Sequence, residues 1–242
     1  MVKIAADLHV HSIASGHAYS TIAENVAVAA KKGLELIAIT DHGPMMPGAS
    51  HAYHFGNLKA VPNKYLGVEV LKGVEANIID SEGTLDLGEY YLEILDIVLA
   101  GFHSYCFQSG TVEENTAAMI NAMANPFVDI IVHPGNPEFK INPYEIVKAS
   151  KEYGVCLEIN NSSLGFTRKG SYCNCMEIAR RAAEMGTIVS VGSDAHWAEY
   201  VGDFTNALLL MQQAGIKEEQ IINKSVERVY GYLQTRHQRR TG

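Results

Sequence analysis

Cysteine is scarce in this chain: four in 242 residues (Cys106, Cys156, Cys173, Cys175), irregularly spaced, which excludes a disulfide framework. Cys173-x-Cys175 has a spacing that could hold a metal, with free thiols on a loop or helix start as the simpler reading. No apolar run approaches the roughly 20 residues that a membrane-spanning helix needs. Met1-Val2-Lys3 leads into an apolar run with no signal-peptide layout, so the expectation is a soluble, cytoplasmic protein. Basic residues are in deficit, 19 Lys and Arg against 27 Asp and Glu for a formal net charge of -8. That argues against nucleic acid as the main partner, because phosphate-backbone binding draws on Lys/Arg clusters. The one basic cluster, Arg236-His237-Gln238-Arg239-Arg240, reads as part of a frayed, solvated tail over 236–242. Bound divalent cations would reverse the local charge balance and draw an anion into an acidic protein. No linker or low-complexity stretch marks a second domain, so residues 1–242 are expected to form one domain.

What is present is alternation. Seven apolar runs of strand length occur at 2–11, 36–42, 66–79, 96–103, 128–134, 155–161 and 187–196. Between most of them lie helical patterns at 21–33, 111–125, 143–153, 173–185, 204–214 and 217–234. Two of these open on capping boxes, Thr21 with Glu24 and Thr111 with Glu114. The order reads as βαβα with a parallel sheet, and the length suits an α/β barrel of the TIM-like kind. The stretch 43–64, with His51 and His54 inside it, is expected to be a functional loop or lid.

The strand ends carry the chemistry. The runs close on His9 and His11, on Asp41-His42, on Glu75, on His103, on His133-Pro134, on Glu158-Ile159-Asn160-Asn161 and on Asp194-Ala195-His196. In a parallel barrel these ends share one face, where active sites sit. A lone histidine at a strand end is more often a hydrogen-bonded core residue than a ligand. Here, however, seven of the ten histidines follow apolar runs or fall in the first loop, and surface histidines would not respect strand ends. Imidazole and carboxylate together suit zinc, and manganese or iron would also be accepted. His51, His54 and His237 are expected to be non-ligands, although His51 or His54 could reach substrate from the lid.

These stretches resemble the PHP (polymerase and histidinol phosphatase) superfamily of metal-dependent phosphoesterases, and within it the YcdX-type phosphatases, over essentially the whole chain. The resemblance rests on Asp7-Leu8-His9-Val10-His11-Ser12, His17-Ala18-Tyr19-Ser20-Thr21, Ala38-Ile39-Thr40-Asp41-His42-Gly43-Pro44 and Gly73-Val74-Glu75-Ala76-Asn77-Ile78. It continues through Ala100-Gly101-Phe102-His103, His133-Pro134-Gly135-Asn136-Pro137, Glu158-Ile159-Asn160-Asn161-Ser162-Ser163 and Gly192-Ser193-Asp194-Ala195-His196. It implies a distorted (β/α)7 barrel with three divalent metal ions, zinc above all, at the C-terminal ends of the strands. By the family motif, His9, His11, Glu75 and Asp194 would take the first metal. Glu75, His103 and His133 would take the second, and His17, His42 and His196 the third.

A small phosphorylated substrate follows as the expected partner, with a metal-bridging hydroxide attacking the phosphomonoester and Glu75 and Asp194 as catalytic carboxylates. Arg168, in the loop after the sixth run, offers a fork of donors suited to the substrate phosphate. Asp7 shares strand parity with His9 and His11 and is expected to orient an imidazole; Asp41 is a weaker case of the same idea. Asn160 to Ser163 are expected to line the pocket. Specificity is expected to reside in 43–64, 104–110 and 162–172. Two other functions fit parts of the pattern: a nuclease or phosphodiesterase of the same superfamily, and a non-catalytic metal-binding protein. The acidic balance counts against the first; against the second, structural zinc sites use closed, cysteine-rich shells, whereas the implied sites use histidine and carboxylate and the second and third have only three protein ligands each. Enzymes of this size commonly form homo-oligomers, and the sequence leaves the state open.

Overall fold

The alternation read from the sequence becomes eight strands and eight helices in a computed structural model that describes residues 2–165 and 167–240. The strands are β1 (Ala6–Val10), β2 (Leu36–Ile39), β3 (Lys64–Tyr65), β4 (Val68–Asn77), β5 (Ile97–Gly101), β6 (Ile130–Ile131), β7 (Cys156–Asn160) and β8 (Val189–Gly192). The helices are α1 (Ile22–Lys31), α2 (Tyr53–Asn57), α3 (Glu89–Ile94), α4 (Val112–Ala124), α5 (Pro143–Tyr153), α6 (Ser171–Met185), α7 (Thr205–Ala214) and α8 (Val226–Gln238). Seven strands run parallel in the order β1-β2-β4-β5-β6-β7-β8. The ring nearly closes where the Asp194 amide donates to His9 O at 2.9 Å and the His11 amide to Ala195 O at 3.0 Å. This is the distorted (β/α)7 barrel expected. The additional strand, β3, is a two-residue antiparallel partner of β4, joined to it by Leu66-Gly67 with φ of 50° and 84°, the left-handed pair that a tight hairpin requires.

Both capping boxes form: Thr21 and Glu24 exchange side-chain and backbone bonds at the start of α1, as Thr111 and Glu114 do at α4. The helix expected over 217–234 starts only at Val226, with two short 3-10 turns before it, because Ser225 accepts the Arg228 amide and caps α8 there. The lid expected over 43–64 is instead largely built structure. It contains α2, and Phe55 and Leu58 are buried in the outer core, so apolar burial fixes it. Cys173 and Cys175 are free thiols on α6.

Two apolar clusters follow strand parity. Leu36, Ala38, Leu71, Ile97, Leu99 and Ile130 fill one with Val229 and Leu233 of α8, while Ile37, Val70, Val98 and Ile131 join the helices in the other. In β1, Ala6 and Leu8 belong to the first cluster but Val10 to the second, because the register breaks between Asp7 and Val10. That irregularity puts His9 and His11 on the inner side and leaves Asp7 out of phase with them.

The basic segment near the C-terminus corrects a second expectation. Arg236 is 3% exposed and donates to Tyr153 O at 2.7 Å and Val128 O at 2.5 Å, while Arg240 donates to Asp129 Oδ2 at 3.0 Å. Within the described residues, 236–240 is therefore anchored, and 241–242 lie outside them. Arg236→Met is expected to cost about 3 kcal/mol in denaturant unfolding, as removal of one buried cation leaves acceptors unpaired. Burial outweighs Arg240 and Arg236 and pushes the Asp129 carboxyl from 3.8 up to about 6. The folded state thus holds this proton more tightly than the unfolded chain, and Asp129's contribution to stability falls as pH rises from about 4 through about 6. The Arg236→Met loss should be smaller near pH 5, where Asp129 is largely neutral, than near pH 8.

Candidate metal centre

Glu75 lies at the middle of the C-terminal face of the barrel. On β4 the inner side is held by Leu71, Gly73 and Glu75 in alternation, and Glu75 is fully buried. Its Oε1 is 2.6 Å from His133 Nε2 and 3.1 Å from His103 Nε2. Its Oε2 is 2.8 Å from His42 Nδ1 and 3.3 Å from both His9 Nε2 and His11 Nε2. Asp194 completes the other side, with Oδ1 3.2 Å from His11 Nε2 and 3.6 Å from His9 Nε2. His17 comes from the loop after β1, its ring 4.9 Å from those of His42 and His196. All nine side chains named from the family motif are thus brought together. Among the described residues, three groups have their ligand atoms within 4.8 Å of one another: His11, His42 and His196; His9, His11 and Glu75; His42, Glu75 and His103. His42 faces Glu75 as well as His17 and His196.

The surroundings prepare these atoms to take cations. Ser15 Oγ donates to Asp41 Oδ1 at 2.7 Å and so can only accept from His11 Nδ1, 3.0 Å away. His9 Nδ1 donates to Glu158 Oε1 at 2.7 Å. Both imidazoles therefore turn Nε2 toward Glu75 and Asp194, and these two nitrogens stand 3.0 Å apart. Lone pairs at that distance repel unless something positive lies between them or beside them. Buried His42 Nδ1, Glu75 Oε2, His103 Nε2 and Asp194 Oδ1 also make no hydrogen bond. Buried polar atoms in such number require partners, and divalent cations fit the donor set.

Electrostatics agree. Burial opposes the charge on Glu75, but His42, His103 and His9 hold it well below the usual carboxylate range. Burial likewise opposes Asp194, and Arg168 and His9 overcome it. Burial, with His196 and His42 adding to it, drives His11 well below its ordinary value; burial and Arg168 bring His133 to about 4, and burial and His42 bring His17 to about 4. These imidazoles are neutral at neutral pH, as ligands must be. His9 goes the other way: burial opposes its charge, but Glu158, Glu75 and Asp194 raise it, and that proton is the one a cation would displace.

Two sequence expectations change. Asp7 touches no imidazole; its carboxylate accepts from the amides of Gly202 at 2.8 Å and Ser193 at 3.2 Å, tying β1 to the loop after β8, as the register break requires. The acid that orients His9 is Glu158, which also accepts from the His133 amide at 2.9 Å. Glu158 was visible at a strand end, and its shared parity with Asn160 on β7 was the signal for an inward position. Asn160 does not line the pocket but braces Glu158 at 3.0 Å and Asp194 at 3.2 Å. Gly192 is needed beside this pair, since a Cβ there would come within 1.9 Å of Glu158 Oε1. Asp41 acts on His11 through Ser15. His54 Nε2 is 3.5 Å from Asp41 Oδ2, and His51 Nδ1 accepts from the Tyr53 amide at 3.2 Å; neither lines the cavity. Glu158→Gln is expected to weaken metal retention about tenfold, read as metal content after dialysis against graded chelator.

Among the described residues, four non-glycine residues have positive φ, and three of them, His133 (34°), Arg168 (41°) and Asp194 (56°), are here. Such backbone strain concentrates at functional sites. Arg168 Nη1 donates to Asp194 Oδ2 at 2.8 Å and Ser163 Oγ at 3.3 Å, leaving its remaining donors toward a cavity of about 580 Å³. Loops 104–110 and 162–172 contribute to that cavity as expected; so does the segment after β8, through Trp197, Tyr200, Asp203 and Asn206, which the sequence had not marked. Of 43–64, only Met46 reaches it.

A PHP domain model matches residues 7–162. A probable phosphatase of Thermoanaerobacter sp. (strain X514) is 54% identical over 233 residues, covering 96% of this chain and 95% of that protein. A probable phosphatase of Acetivibrio thermocellus is 48% identical over 238 residues, covering 98% of each. In fold, the chain is similar to the histidinol phosphate phosphatase of Lactococcus lactis solved with zinc, L-histidinol and phosphate. The TM-score is 0.62 at 18% identity, over 88% of this chain and 94% of that one.

Proposed function

The chain belongs to the PHP domain family and is a hydrolase acting on phosphoric ester bonds; from that premise we propose that it releases phosphate from small-molecule phosphomonoesters at a centre of three divalent cations. The observation that carries this reading is Glu75, a buried carboxylate whose two oxygens face five imidazoles. His9, His11, Glu75 and Asp194 would hold one cation, Glu75, His103 and His133 a second, and His17, His42 and His196 a third. Zinc suits the donors and is the metal solved in the Lactococcus lactis enzyme; manganese and iron would be accepted by the same atoms. Bound there, such cations supply an acidified water and offset charge on the phosphoryl oxygens.

The chain's own residues do the positioning. Glu158, and Asp41 through Ser15, hold His9 and His11 in the tautomer that points Nε2 inward. Asp194 keeps the Arg168 guanidinium at the cavity wall, where its remaining N–H groups would donate to a substrate phosphate. Arg168 is the only Lys or Arg among the cavity's described lining residues, and the whole chain carries a charge of -8. A polynucleotide backbone would meet a single Lys or Arg in that described lining, which favours a small monoester over the phosphodiesterase reading. Among the described residues, no helix is long and apolar enough to cross a membrane.

Arg168→Ala is expected to raise KM about tenfold or more, the value of a charged hydrogen bond lost from the phosphate, in steady-state assays. The proposal itself is tested by phosphate release from an aryl phosphate beside hydrolysis of the bis-aryl diester. Turnover of the monoester above that of the diester supports it. Preference for the diester would replace it with the phosphodiesterase reading.

A further inference from the structure

The mouth of the cavity is built unlike its floor. The floor is imidazole, carboxylate and Arg168. The mouth carries Tyr105, Tyr19, Trp197 and Tyr200, exposed by 80%, 71%, 50% and 47%. Large aromatic rings left this open are not core residues, and four around one opening form an apolar feature with a use. They come from three segments of backbone, those after β1, β5 and β8. The Tyr19 amide donates to His196 O at 2.9 Å and the Ala198 amide to Ser20 Oγ at 2.9 Å, so Tyr19 and Trp197 are held on paired segments. The Tyr200 amide closes a 3-10 turn onto Trp197 O at 2.9 Å. Tyr105 comes from the turn after β5, where the Cys106 amide returns to His103 O at 2.9 Å. These bonds set the backbone from which the rings project: Tyr19, Trp197 and Tyr105 follow His17, His196 and His103 by two residues or fewer, and Tyr200 follows His196 by four.

Charge at the mouth is acidic. Glu138 and Asp203 line it, and Arg168 at the floor is the only cation among the described lining residues. One phosphate can be neutralised at the floor; a second negative group farther out would meet carboxylates instead. A volume of about 580 Å³ is that of a site for a ligand with a sizeable organic part, well beyond phosphate alone.

Resting on the phosphomonoesterase reading above, we propose that the leaving alcohol carries a flat aromatic or heteroaromatic ring without a second anionic group, and that Tyr19 and Trp197 are the residues that select it. The ring stacks at the mouth while the phosphate reaches the floor, with Tyr105 and Tyr200 flanking it. Glu138 and Asp203 turn away bisphosphates and polyanions. Specificity thus lies in the segments after β1 and β8, which also supply His17 and His196.

The chain has one tryptophan, and it is Trp197, so its emission reports directly on the mouth. The metal-loaded protein is assayed with phenethyl phosphate and cyclohexylethyl phosphate, whose leaving alcohols are alike in acidity and size but differ in flatness, and with a bisphosphate of the phenethyl frame. Non-hydrolysable phosphonates of the same frames are titrated against Trp197 fluorescence. The expected result is a kcat/KM about tenfold higher for the phenethyl ester, two aromatic contacts at about threefold each. The bisphosphate should be poorer than the phenethyl monoester, and the phenethyl phosphonate should produce a saturable emission change at lower concentration than the cyclohexylethyl one. Tyr19→Ala and Trp197→Ala should each narrow the kcat/KM ratio, through KM. Equal kcat/KM for the two monoesters with an unmoved ratio in both variants would overturn the ring subsite while leaving the phosphomonoesterase intact. Failure to hydrolyse either monoester would overturn both.

Discussion

Glu75→Gln is expected to lower phosphate release by about three decades, the several kcal/mol that metal-ion catalysis contributes. The substitution keeps shape and volume while exchanging one oxygen for an amide donor and removing the charge. Neither orientation of the new amide is harmless. With its nitrogen toward His133 and His103 it meets nitrogens that stand 2.6 and 3.1 Å from Oε1; turned over, it meets His42 at 2.8 Å, with His9 and His11 at 3.3 Å. Either way a hydrogen-bond donor replaces a lone pair in a fully buried position, and the imidazoles lose the carboxylate that would share cations with them. Steady-state assays together with metal content by elemental analysis check this: activity and bound metal should fall together.

Asp194→Asn should lower kcat by about a hundredfold, as loss of one preorganised charge at a reacting centre does. Asparagine tolerates the φ of 56° at this position, so the fold should survive and the effect should be chemical. Arg168 Nη1 donates to Oδ2 at 2.8 Å and therefore requires an oxygen opposite it. The amide nitrogen must then occupy the Oδ1 position, 3.2 Å from His11 Nε2, where its protons satisfy the lone pair that would otherwise bind a cation. A pre-steady-state or kcat measurement beside a thermal melt separates this from misfolding.

Much of the barrel and its site was legible because strand ends are where periodicity and chemistry coincide. His9, Glu75, His103 and Asp194 each follow an apolar run, and the parallel arrangement then gathers residues up to 185 positions apart onto one face. What escaped was set by tertiary contacts. The register break in β1 is invisible in Ala6-Asp7-Leu8-His9-Val10, yet it decides that Glu158 and not Asp7 holds His9. The polar look of Arg236-His237-Gln238-Arg239-Arg240 concealed an anchor because its acceptors, Val128 O and Tyr153 O, are backbone atoms with no side-chain signature. Helix α2 is five residues long, too short for its period to show. Trp197 and Tyr200 lie in a loop whose role depends on where the loop folds.

The central claim is that the histidine–carboxylate cluster hydrolyses phosphomonoesters only with its cations bound. Its most direct test is to strip the protein with chelator, return zinc or manganese in measured equivalents, and follow phosphate release from an aryl phosphate against bound metal. The account predicts negligible release from the stripped protein and activity that rises with loading to a plateau at about three equivalents, the number of ligand groups that the family motif defines. Full turnover by the stripped protein, with folding intact and no metal detected, would contradict it.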